Sequence, residues 1–334
     1  MSLGKHIARN RKWVLRGAVA LSLVAALGVA ASASWTRIAI ASAPAKTAAS
    51  ARDPAALKAD EVFWQTFHGG KYDQIQPALD QLTAAYLKTP SDAVTAAHIG
   101  WLHTWRVAER ARDPEATATI TDHVVVGRKY FHEALMLDPG EARYLGFLAA
   151  ETLSEARIDQ DERLTREGYF MLQDSVKAWP EFNLFTAGYL MSGLSPESPQ
   201  FKEGLEYQWK NMDVCVGEPV DRATPDYSRF MPLDTKTGKK RTCWNSWIAP
   251  HNLEGFFLNM GDMLVKTGDV KTARAIYENA KASKEYAAWR YQDVLEDRIA
   301  HAQDNVAAFN RPDAAKTTPM MIDSKFACMA CHLE

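Results

Sequence analysis

The chain has 334 residues, 47% of them apolar, and a formal net charge of −2. That length and apolar content allow one large or two ordinary domains with a full core, and exclude a small disulfide scaffold. The balanced charge gives no global basis for binding nucleic acid, because phosphate recognition needs clustered positive charge. With 10 Trp, 11 Tyr and 13 Phe, the composition points to packed helices rather than a disordered adaptor.

Residues 1–36 read as an export segment. A basic stretch (Lys5, Arg9, Arg11, Lys12, Arg16) precedes an uncharged run from Gly17 to Thr36. Ala31-Ser32-Ala33 offers a signal-peptidase pattern, while the run is also about long enough to stay in the bilayer as an anchor. On either reading the basic flank remains cytoplasmic, and the rest of the chain is periplasmic or otherwise extracytoplasmic, with membrane association through the N-terminal segment if it is retained. Residues 37–59 are Ala- and Pro-rich and read as a linker.

From 60 to 309 helical periodicity dominates, with no convincing strand alternation, so the expected fold class is all-α. Four segments repeat one pattern of small and large residues: Ala78, Leu82, Ala85; Gly127, Phe131, Ala134; Gly168, Leu172, Ser175; and Ala273, Tyr277, Ala280. Small residues seven apart share a helical face and let a neighbouring helix approach closely. Upstream helices carry Ile99-Gly100, Leu145-Gly146, Ala187-Gly188 and Met260-Gly261. The body resembles the tetratricopeptide repeat. Phe257, Met260, Gly261, Leu264, Ala273, Tyr277 and Ala280 make the best match, with Leu264 for an aromatic and Glu285 for a proline. The resemblance implies stacked antiparallel helix pairs, a solenoid with a concave surface that docks proteins. The alternative is a generic helical bundle. Stretched connections are expected near Asp113 to Asp122 and Ile158 to Asp161. An irregular insertion spans 212–251, with a basic turn from Lys236 to Arg241 that reads as a solvated loop tip or a steering patch for an acidic partner.

The tail, 310–334, ends in Cys328-Met-Ala-Cys331-His332-Leu-Glu. C-x-x-C-H is a haem-attachment motif: two thiols add to the porphyrin vinyl groups and the adjacent imidazole becomes the proximal iron ligand. A redox dithiol would need a βαβ setting, and a zinc site would need two further ligands. The expected cofactor is therefore one covalent haem c, on Cys328, Cys331 and His332. In this motif the chain resembles c-type cytochromes, although their common form places the motif near the N-terminus with a ligating methionine downstream. Here the second axial ligand must come from upstream or be absent. Met320 and Met321 are near in sequence, and His251 lies where the insertion meets a helix. His301 reads as a surface residue, and Met260 and Met263 as core packing.

Cys215 and Cys243 lie in the oxidising compartment implied by export, and a disulfide between them is expected. The leading function is extracytoplasmic electron transfer to or from a redox protein or membrane respiratory complex docked on the repeats, with no catalytic residue set. A scaffold or redox sensor with a structural haem is one alternative. A peroxidase-type enzyme with an open iron face, using His251 and Glu254, is another. Trp244 and Trp247 are expected as haem-face contacts or ordinary core aromatics.

Overall fold

A computed structural model describes residues 46–108, 117–311 and 332. The export segment, most of the tail, and Met320, Met321, Cys328 and Cys331 lie outside the described residues. Twelve α-helices and no strand occur among the described residues. They are α1 (Pro54–His68), α2 (Ile75–Lys88), α3 (Ala93–Ala108), α4 (Thr117–Leu137), α5 (Ala142–Asp159), α6 (Glu162–Ala178), α7 (Pro180–Met191), α8 (Pro199–Val216), α9 (Asn252–Thr267), α10 (Val270–Lys281), α11 (Gln292–Ala300) and α12 (Ala302–Phe309). The fold is all-helical, with consecutive helices packed in pairs: α3 with α4, α5 with α6, α7 with α8, α9 with α10. No helix among the described residues is long and apolar enough to cross a membrane.

Helices begin where the sequence supplies a cap. Asp53 accepts from Ala55 N at 2.7 Å and Pro54 opens α1, so residues 54–59, expected in the linker, are helical. Ser198 caps α8 through Phe201 N, with Pro199 at its start. Asp161 caps α6 directly after α5 closes on Gln160 in the left-handed region (φ 56°). That junction is tight, not stretched: a single left-handed residue and one cap reverse the chain. Likewise, α8 runs on to Val216 and stops at Gly217 (φ 88°), so the irregular insertion starts at 217 rather than 212.

The repeated small residues do what their spacing implies. Ala78, Leu82, Ala85, Phe131, Ala134, Leu172, Ser175, Ala273, Tyr277 and Ala280 are all buried. The paired glycines receive the bulky residue of the next helix. A Cβ on Gly100 would lie 2.9 Å from the Phe131 ring, and one on Gly261 only 2.1 Å from the Tyr277 ring. A fifth copy escapes the sequence pattern because its large residues are polar. Gly204, Gln208 and Asn211 on α8 keep the spacing and are buried. Gln208 donates to Phe185 O at 3.3 Å and Asn211 to Glu181 O at 2.8 Å, which gives both side-chain amide nitrogens an acceptor at the α7–α8 interface.

Two features tie the ends of the stack together. The insertion returns to α1, where Trp247 meets Trp64 with ring centroids 5.0 Å apart. Tyr291, just before α11, packs against both the N-terminal and the C-terminal cores. Beneath it, Asp262 on α9 accepts from Tyr277 Oη at 2.6 Å and from Arg298 Nε at 3.2 Å, all three residues being buried.

Candidate functional site

The inner faces of α3, α5 and α7, together with the insertion, line a half-open cavity of about 560 Å³, a size suited to a cofactor or drug-sized molecule. Its walls are mainly apolar and include the aromatic rings of Phe147, Phe182, Phe185, Trp244, Trp247 and Phe256. Basic groups also reach it: Arg143, Arg157, Lys236 and Arg241. The insertion is held in place covalently, since Cys215 at the end of α8 and Cys243 form a disulfide (S–S 2.03 Å). That bond sets Cys243 and Trp244 in the wall.

The basic turn is not a free loop tip. Lys239–Thr242 form a 3₁₀ helix in which Lys239 donates to Ala178 O and Lys240 to Cys215 O. Lys236 donates to Asn245 O at 2.8 Å, and the Arg241 guanidinium lies 4.2 Å over the Trp179 ring. Backbone carbonyls and an aromatic face tie these cations to the body, and two of them, the exposed Lys236 and the half-buried Arg241, stand at the cavity wall.

His332 also lines the cavity. Its Nδ1 lies 2.6 Å from Ile248 O, and its ring packs 4.6 Å from that of Phe67. Burial, with His68 nearby, pushes the imidazole down to about 4, so the ring is neutral near pH 7. A neutral imidazole that donates through Nδ1 has its lone pair on Nε2, the protonation pattern of a metal-ligating histidine.

Three polar atoms of cavity residues are buried without a hydrogen-bond partner among the described residues: Glu151 Oε2, Glu181 Oε2 and Trp244 Nε1. Glu151 is fully enclosed, and desolvation pushes its carboxyl up to about 8. Its Oε1 lies 2.5 Å from Thr104 Oγ1, which donates to Gly100 O at 3.1 Å. The Thr104 hydroxyl is shared between these two acceptors, and Glu151 Oε2 is buried with no partner among the described residues. Sequence reasoning missed Glu151 because an acid on an amphipathic helix reads as solvated; only the position of α5 within the stack buries it.

The structure separates the other sequence candidates from this cavity. His251 is buried with Nδ1 3.8 Å from Glu254 Oε1, yet neither residue lines the cavity. Glu254 is instead held by Asn245 Nδ2 at 3.0 Å. His301 is exposed and pairs with Asp297 at 3.0 Å. Met260 and Met263 are core residues. The methionine that does line the cavity is Met212 on α8, and His332 is the one histidine among the described wall residues. Trp244 is buried, whereas Trp247 spans cavity and surface.

Comparison with protein-family models, characterised proteins and solved structures finds no match for this chain.

Proposed function

We propose that the chain is an extracytoplasmic monohaem c-type cytochrome, its haem attached at Cys328 and Cys331, ligated by His332 and seated in the aromatic cavity. The observation that carries this reading is the His332 Nδ1 contact with Ile248 O on the cavity wall, which orients the ring and leaves Nε2 for iron. The donor set suits the cofactor. Aromatic walls match a porphyrin face, while the orphaned Trp244 Nε1 and the Arg143 and Arg241 guanidinium groups match its two carboxylates. Haem bound there would supply a one-electron Fe(III)/Fe(II) couple.

The chain's own residues would fix the properties of that couple. Phe147, Phe182 and Phe256 exclude water and lower the local dielectric. Met212, a soft thioether that lines the same cavity as His332, would be the candidate for a second iron ligand. The outer surface of the helix pairs would dock a redox protein or a membrane respiratory complex, as helical-repeat surfaces commonly do. No acid–base chemistry is needed for this role.

One observation favours a second reading, a haem enzyme of peroxidase type with an open iron face. Glu151 is a buried acid, neutral near pH 7, among the residues that line the cavity, and would be the candidate for the acid–base group such an enzyme needs.

The test is a pyridine haemochrome spectrum of the exported protein, then oxidised and reduced spectra with and without carbon monoxide. Covalent haem that ignores carbon monoxide supports the electron carrier; ready carbon monoxide binding supports the open face. Cys331→Ala should sharply reduce stable haem attachment while leaving the helices intact. Wild-type protein that carries no haem after maturation would remove both readings.

A further inference from the structure

Two imidazoles address one acceptor. Ile248 O lies 2.6 Å from His332 Nδ1 and 3.2 Å from His68 Nε2. A carbonyl oxygen has two lone pairs, so both rings can donate to it at once. The rings are nearly parallel, 14° apart, with centroids separated by 6.5 Å. His68 is the last residue of α1 and is buried, its ring 5.0 Å from Trp64 and 5.2 Å from Trp247. The two tryptophans therefore fix the direction of its Nε2.

We infer that His68 is a positioning residue that sets the reduction potential of the haem through the Ile248 carbonyl. The inference rests on the haem reading above. The acceptor on the far nitrogen of a ligating histidine sets how basic the ring is toward its metal. A carbonyl that already accepts from His68 is a weaker acceptor for His332. The His332 ring then carries less imidazolate character, which favours Fe(II) over Fe(III) and raises the potential. His68 is not itself the second axial ligand in this arrangement, because its Nε2 is committed to the carbonyl on the Nδ1 side of His332.

His68→Phe keeps an aromatic ring between Trp64 and Trp247 and removes the N–H, whereas His68→Gln keeps an N–H donor. Potentiometric titration of the holoproteins reads the effect, with haem counted by pyridine haemochrome and fold followed by circular dichroism. The Phe variant should hold the wild-type complement of haem. Its Fe(III)/Fe(II) ratio at a fixed solution potential should rise about threefold, a midpoint lowered by about 30 mV. The Gln variant should stay close to wild type. Should His68→Phe fail to fold, His68→Leu against His68→Gln provides the same contrast. Equal midpoints in all haem-bearing proteins overturn the inference and leave the haem reading standing. Absence of haem from the wild type overturns both.

Discussion

Trp64 of α1 and Trp247 of the insertion meet with ring centroids 5.0 Å apart and planes tilted by 57°. The contact joins α1 to the insertion that follows α8. Trp247 is 63% exposed, so its removal forfeits the ring contact more than a buried area. Trp247→Ala should cost about 1 kcal/mol in urea unfolding. It should also open the cavity edge, read as faster hydrogen exchange in the insertion. Unchanged exchange there would show that the insertion is held by other contacts.

Met212→Leu keeps an apolar side chain of similar volume, and the fold should survive with a cost below about 1.5 kcal/mol. If Met212 ligates the iron, the variant becomes high-spin and binds carbon monoxide once reduced. His251→Ala should leave the spectrum unchanged, since His251 does not line the cavity. An unaltered low-spin spectrum in Met212→Leu would move the ligand elsewhere.

Glu151 makes stability depend on pH in a defined direction. Its carboxyl sits at about 8 when folded and 4.5 when free. Between those values the folded chain keeps a proton that the unfolded chain releases, so stability falls as pH rises. The contribution is complete below about pH 4.5 and lost above about pH 8, at up to roughly 1.4 kcal/mol per pH unit. Glu151→Gln keeps the shape without the ionisation and should flatten that part of the profile. Parallel urea midpoints for the two proteins from about pH 5 to about pH 8 would rule this out.

The Cys215–Cys243 link spans 28 positions. Closing a loop of that length stabilises by about 3.6 kcal/mol through the unfolded state. Cys243→Ser should lose up to that amount. The loss should appear first as protease cleavage within 217–251, because both sulfurs lie where α8 anchors the insertion.

Gly261→Ala places a methyl 2.1 Å from the Tyr277 ring, which is fully buried and bonded to Asp262. The buried Tyr277 ring cannot shift away without straining its hydrogen bond to Asp262, so the variant should lose about 3 kcal/mol. Gly140→Ala meets its nearest neighbour at 3.6 Å and should be nearly neutral, which makes it the control for thermal melting.

The parts of the fold legible in the sequence are those set by local spacing. Gly261 opposite Tyr277 and the run Ala78, Leu82, Ala85 announce close helix contacts through residue size alone. The α8 copy does not, since the amide nitrogens of Gln208 and Asn211 find their acceptors only in carbonyls of another helix. Of the proposed site, the sequence offers only the motif Cys328, Cys331 and His332, and the surroundings of His332 carry no sequence signal. His68, Ile248, Glu151 and Met212 belong to four separate segments with no shared motif. What joins them is the return of the insertion onto α1, a long-range contact that leaves no periodic signature.

That return also changes how the chain can fold. An open stack of helix pairs can form and dissolve from either end, because each pair touches only its neighbours. Here His68 and Ile248 bond across 180 residues of sequence, and Tyr291 packs on both terminal cores. Closure adds contacts of high sequence separation, which slow folding and make it more all-or-none. The carbonyl that meets His332 also meets His68 of α1, so His332 finds this seat complete only in a body that has already closed.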